Sequence, residues 1–205
     1  MAIGTPWYRR AVAVYDWSYR LLHGLDRPTA RIGPVLSVQR CWLWRALRLA
    51  DGTRLRRGAQ IGVLHLDNVR TLALHGAGLN PGEIGFEFRR LFLSSLRALA
   101  TQAADGGPLA PVKAYSVTTL FHHRLPILGF APAPGDPSIC RPLASLYQRA
   151  LLSSLHPKGL ARLHRGTRGE ARRLWICRQD LLARFGTIPG EQSCPPRHHP
   201  EKRSE

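Results

Sequence analysis

The chain has 205 residues, 44% of them hydrophobic, which suits a single domain with a real core and a polar tail. Its 30 basic residues face 13 acidic ones for a formal net charge of +17, and all of the basic set but Lys113, Lys158 and Lys202 are arginine, an excess that argues for an anionic partner without choosing between acidic lipid, phosphorylated ligand and nucleic acid. No apolar run reaches the ~18 residues of a spanning helix, and Cys41, Cys140, Cys177 and Cys194 form no CxxC pair, so a membrane span, a zinc ribbon and a thioredoxin-type motif lose their usual signs.

Trp7 to His23 carries Tyr8, Val12, Tyr15, Tyr19 and Leu22 at spacings of three and four, with Gly24 as a stop, and reads as an amphipathic helix. Core packing accounts for most such stripes. Arg9, Arg10 and Arg20 beside the rings also suit a membrane interface. The same charges, with Asp16, interrupt the segment too often for a signal peptide, so the expected location is cytoplasmic with peripheral membrane contact as the extension. Val35 to Leu49 reads as strand, Asp51 and Gly52 as a hairpin turn, and a second turn at Arg57 and Gly58 leads into a strand ending at Asn68. Arg70 to Gly76 follows no period and reads as irregular.

Asn80, Pro81 and Glu83 form a helix start with a capping box, and Phe88, Phe92, Leu96, Leu99 and Ala103 continue it toward the Asp105 to Pro108 cluster. Val112 to Leu120 is rich in β-branched residues and reads as a strand running into Phe121, His122 and His123. Ala131 to Pro137 is a rigid connection, after which Leu143 to Leu155 is an amphipathic helix stopped by Pro157, with His156 favoured at its C-terminus by the helix dipole. Arg172 to Cys177 reads as a strand and Arg178 to Phe185 as a helix ended by Gly186. From Ile188 onward apolar residues almost vanish, so a domain over 7–187 with a disordered tail over 188–205, including His198 and His199, is expected. The order of elements predicts an α+β fold, a small mixed or antiparallel sheet with packed helices in a single domain.

No GxGxxG, Walker A, HExxH or GxSxG motif occurs. What remains is His65 with Asp67 and Asn68 at one strand end, His122 with His123 at another, and Arg178 at a helix start. In strand register Ile61, Val63, His65 and Asp67 share a face. Imidazole can move protons near neutral pH and a carboxylate can orient it, while the plainer reading makes His65 and Asp67 a buried hydrogen-bonded pair that braces the hairpin. If the second segment stays extended, His122 and His123 point to opposite faces and at most one of them joins His65. A metal centre would need ligands that the spacing does not supply, so no metal is assigned and the cofactor stays open. Arg178, beside free backbone N–H groups, is the candidate for holding an anion.

Four segments occur in one order: DGTRLRRGAQIGVLHLDN, VTTLFHH followed by the LGF of Leu128 to Phe130, LLSSLHPKG, and LWICRQDLLARFG. That order resembles the YkoP-like domain, a bacterial family, from about Tyr8 to Gly186. Members of the family stand alone or are attached to polysaccharide deacetylase modules, which implies a cell-envelope or glycan context and a polysaccharide deacetylase or glycosyltransferase as partner. The resemblance brings no activity, cofactor or catalytic residue with it. His65 and Asn68 match its pattern, whereas Val63 stands where an acidic residue is usual and Asp67 where asparagine is usual. The paired aspartates and metal histidines of a deacetylase are not present in this chain, so that activity is not expected here.

Two functional readings follow. In the first, a small enzyme or ligand-binding domain uses His65, Asn68 and His122 or His123 to line a pocket, with Arg178 on an anionic lipid or glycan intermediate of the envelope. In the second, a noncatalytic accessory protein docks on an acidic membrane through the Trp7 to Arg20 helix. Nonspecific nucleic-acid binding through charge ranks third, for want of a reading motif.

Overall fold

The computed structural model describes residues 7–67, 70–71, 73–74, 78–134, 136, 141–155 and 170–186. The two strands bracketed by the turn residues, β2 (Leu36–Trp42) and β5 (Gln60–Leu66), pair antiparallel with Ser37 opposite His65, Gln39 opposite Val63 and Cys41 opposite Ile61. They belong to a five-stranded sheet in the order β1-β2-β5-β6-β7, where β1 is Arg31–Ile32, β6 is Ala114–Thr119 and β7 is Arg172–Cys177. β5 and β6 run parallel and every other neighbouring pair in this sheet is antiparallel, so the sheet is mixed. A parallel pair needs a crossover, and the chain supplies it with α2 (Pro81–Ala103). Helices α1 (Trp7–Leu22), α3 (Arg141–Leu155) and α4 (Arg178–Phe185) pack with the sheet, giving the expected single α+β domain.

Strand alternation divides the sheet residues between two faces. The first face carries Leu36, Val38, Leu64, Tyr115, Leu174 and Ile176, packed against Leu96, Leu99, Ala100 and Ala103 of α2 and Leu181 of α4. Each fully buried leucine there contributes about 2 kcal/mol of hydrophobic stabilisation. Asn80 starts α2 as read from the sequence: its side chain accepts from Gly82 N and Glu83 N, and Glu83 returns a bond to Asn80 N. Gly62 is required on this face, since a Cβ there would lie 2.5 Å from Tyr115 Cδ1 and 2.8 Å from Cε1. At the far edge Gly33, at φ 62°, lets the chain pass Ser95, where a Cβ would come within 2.7 Å of Ser95 Cα.

The second face is covered in two parts. Leu47 of β3 (Leu47–Arg48), Leu49, and Leu55 of β4 (Arg54–Leu55) close over Ile61, Ala114, Trp175 and Cys177. Toward the other end, α1 brings Tyr19 against His65, and Tyr15 meets Tyr147 of α3. Gln148 and Ser145 of α3 hold the end of β6 and the start of β7, Gln148 by donating to Thr118 O and accepting from Leu120 N, Ser145 by accepting from Ala171 N.

Three segments differ from the sequence reading. Val35 to Leu49 is not one strand: it breaks after Trp42 because the chain turns to lay β3 and β4 over the second face. Arg70 and Thr71 are helical rather than irregular, because Asp67 acts as their cap, accepting from Arg70 N through its side chain and from Thr71 N through its carbonyl. The histidines after β6 are not extended. His122–Leu128 forms a 3-10 helix that packs Leu125 and Leu128 against the core of the first face and ends at Gly129, at φ 89°. The tail expected over 188–205 and His156 lie outside the described residues.

Candidate functional site

His65 stands on the second face near the end of β5, between the hairpin cover and α1. Its imidazole Nε2 lies 3.2 Å from Gln39 Oε1, and Gln39 Nε2 lies 2.7 Å from His23 Nδ1. Because the amide oxygen only accepts and the amide nitrogen only donates, this orientation makes His65 the donor and His23 the acceptor. Tyr19 stands between the two imidazoles, its ring centroid 4.2 Å from that of His23 and 5.7 Å from that of His65. Burial, then the neighbouring His23, lowers the His65 pKa to about 4, so the ring is neutral at physiological pH. Burial, then Tyr15 and Cys41, raises the Tyr19 phenol, and Arg173 acts against that rise. Cys41 is raised by its burial and likewise feels Arg173. The Arg173 charge thus reaches both Tyr19 and Cys41, while its guanidinium lies 6.0 Å from the centroid of the Trp175 ring and 3.9 Å from Asp136.

Asp67 belongs to a different set of contacts. It is buried, accepts from Arg20 Nη1 at 3.4 Å, and lies 3.6 Å from Arg70 Nε. Arg20 also binds Asp26, and this pair is the first cause of the lowered Asp26 pKa. The expected His65–Asp67 pair therefore does not form: the imidazole bonds Gln39, while the carboxylate ties α1 to the helical turn after β5. Aspartate and asparagine are both good helix caps, so Asp67 fills this position as readily as asparagine would. Asn68 lies outside the described residues.

The second histidine segment is separate. His122 and His123 have ring centroids 4.0 Å apart, but their 3-10 helix packs on the α2 side of the sheet, and no hydrogen bond or ring contact joins them to His65 among the described residues. His122 is buried with Nδ1 unpartnered, and burial, then His123 and Arg172, lowers its pKa. Arg178 opens α4 as read from the sequence. Its guanidinium donates to Ala103 O at 2.6 Å and pairs with Asp105, so it holds the C-terminus of α2 against β7.

Tyr19, His23, Gln39 and Arg173 were not among the candidates from sequence. A signal for three of them was available. Tyr19 and His23 are four apart on one helix face, and folding the hairpin back from its two turns brings Gln39 diagonally beside His65.

One group among the described residues could hold a metal ion, Asp51, Cys177 and Asp180, with ligand atoms within 4.8 Å of one another. Each member already has a local role. Asp51 accepts from Thr53 N and Oγ1, and Cys177 Sγ accepts from Asp180 N at the start of α4. Burial foremost pushes the Cys177 thiol up to about 11, away from the thiolate that a metal would bind.

An open groove of about 690 Å³ lies elsewhere, beside the start of α2, lined by Leu74, Leu79, Gly82, Glu83, Phe86 and Glu87. No helix among the described residues is long and apolar enough to cross a membrane. No curated protein and no solved structure matches the chain. The family model of the YkoP domain does match, over residues 7–185, a span that takes in every described element from α1 to α4, and the chain belongs to that family.

Proposed function

We propose that this YkoP domain is a ligand-binding module, and that the Tyr19, His23, Gln39 and His65 cluster with Arg173 receives a hydroxyl-bearing ligand that carries an anionic group, such as an envelope glycan or lipid intermediate. The observation that carries the reading is the Gln39 amide joining two imidazoles against the Tyr19 ring on the second sheet face. Neutral imidazole, amide and phenol groups suit hydroxyls, which both donate and accept, and an aromatic ring packs against the apolar face of a sugar. Arg173 adds the charge. Its contact with Asp136 is long, 3.9 Å, which leaves its remaining donors for an anion.

Binding is favoured over catalysis by the state of His65. A general base works best with a pKa near the working pH, and a ring held near 4 with no carboxylate behind it is a weak one. The envelope context rests on the family resemblance.

Titration by NMR with a hexose phosphate and with the same hexose lacking phosphate tests the reading. Shifts are expected at Tyr19, His23, Gln39 and His65 with both ligands. Arg173→Gln should weaken the phosphorylated ligand about tenfold and leave the neutral sugar unchanged. His65→Ala should abolish binding in a protein that still unfolds cooperatively. Binding that survives His65→Ala, or shifts confined to other regions, would overturn it.

A further inference from the structure

The segment from Arg40 to Gly58 contains six arginines, Arg40, Arg45, Arg48, Arg54, Arg56 and Arg57, and one acidic residue, Asp51. All six arginines are exposed, and none is in a salt bridge among the described residues. Asp51, in the turn between β3 and β4, accepts from Thr53 N and Oγ1 and is in no salt bridge with them among the described residues. Arg48 and Arg54 stand directly opposite each other in the β3–β4 ladder, both exposed, while the adjacent pair Leu47 and Leu55 is buried. Like charges directly opposite each other across strands are destabilising, and the hairpin keeps them with no ion pair to either among the described residues.

Two large apolar side chains are displayed on the same segment. Trp42 is 64% exposed and Trp44 85% exposed, while Leu43 between them packs inward. The β2–β5 ribbon continues beyond its strands to hold them out: Leu43 N donates to Ala59 O at 2.9 Å and Gly58 N donates to Leu43 O at 2.7 Å, which sets the Arg57–Gly58 turn opposite Leu43 and Trp44.

We propose that the end of this ribbon forms a docking surface for an anionic lipid bilayer, with Trp42 and Trp44 seated at the headgroup boundary and Arg45, Arg56 and Arg57 beside them on lipid phosphates. Tryptophan favours that boundary, and each basic residue near an acidic membrane adds to binding. The site differs from the α1 helix singled out by its aromatic stripe. α1 also exposes Val14, Trp17, Leu21 and Leu22, and Arg20 on it is held by Asp26 and Asp67. A bilayer fits better than a nucleic acid. A single strand is held by successive rings along a basic groove, whereas Trp42 and Trp44 are two rings at the end of a ribbon and both sheet faces are covered, the first by α2 and α4 and the second by the β3–β4 hairpin, α1 and α3.

The test is flotation of the full chain with phosphatidylcholine vesicles and with vesicles that also contain phosphatidylglycerol. Binding is expected with the acidic vesicles alone, to fall as salt rises, and to drop on the order of 100-fold in a triple variant carrying Arg45→Gln, Arg56→Gln and Arg57→Gln. Quenching of tryptophan fluorescence by brominated acyl chains should be strong in the parent and largely lost in the Trp42→Phe, Trp44→Phe double variant with Trp17 intact. These positions are exposed, so thermal melts should stay cooperative, and the quenching comparison needs no charge variant at all. Three results would each overturn the proposal: no preference for acidic vesicles, binding lost on Trp17→Ala with Leu21→Ala but kept in the ribbon variants, or ribbon-dependent binding of a single-stranded oligonucleotide in place of vesicles.

Discussion

The two faces of the sheet are built from the same strands and do opposite things. The first is closed by α2 and α4 into an apolar core in which the buried phenol oxygen of Tyr115 has no partner. The second is divided, with a hairpin lid at one end and a polar cluster of Tyr19, His23, Gln39 and His65 at the other. Alternation along β5 explains how both arise from one strand: Gly62 and Leu64 feed the core while Val63 and His65 feed the cluster. The contrast teaches that chemistry in this domain is placed where packing is incomplete. Burial still governs the cluster, since it is the first cause of the lowered His65 pKa.

The comparison can be broken hardest at Gly62. Gly62→Ala forces a methyl into the Tyr115 ring and against Val38 Cγ2, and should cost about 3 kcal/mol, read as a lower urea midpoint with an unchanged slope. The second face should respond to acid instead. A histidine with a folded pKa near 4 against 6.5 unfolded is neutral in both states at pH 7. The unfolded chain takes up the proton first as pH falls, so stability is lost from about pH 6.5 down to about pH 4, by roughly 2 kcal/mol once partial exposure is allowed for. His122 is shifted in the same direction, so His65→Gln should reduce this loss without removing it, measured by denaturation at pH 7 and at pH 4.5.

Smaller changes sharpen the contrast. Tyr115→Phe deletes the unpaired hydroxyl and should raise stability by about 1 kcal/mol, a gain visible in a thermal melt. Gln39→Leu cuts the link between the imidazoles and should cost about 1 kcal/mol while moving the His23 and His65 ring resonances in NMR. Arg48→Gln should stabilise the hairpin by a few tenths of a kcal/mol in the absence of any lipid, by ending the cross-strand repulsion with Arg54.

The scaffold was legible wherever local chemistry decided it. Asn80 and Glu83 announced α2, Gly52 and Gly58 announced the hairpin turns, and the step from Cys177 to Arg178 marked the change from strand to helix. His65 was legible as a polar residue at a strand end, but its partners were not, because Gln39 is 26 residues away and Tyr19 and His23 reach it only after α1 folds across the sheet. The conformation of the histidine segment was not legible for a related reason. Val112 to Leu120 carries a strong strand signal, while the turn of His122–Leu128 is set by the burial of Leu125 and Leu128, which no local pattern reports. Arg178 was found correctly at a helix start, yet the carbonyl of Ala103 that engages it lies 75 residues away.

The seat of Gly62 on Tyr115 also has a consequence for how the halves of the chain find each other. β5 and β6 are parallel strands joined through a long crossover, so their pairing is not dictated by a tight turn. Sliding β5 by two residues would keep the same face inward but set Gln60 or Leu64 over the phenol ring in place of the glycine, and a slide by one would reverse the faces altogether. The notch at Gly62 accepts the ring in one alignment, so a missing side chain acts as the key that sets the register between the two halves of the sheet.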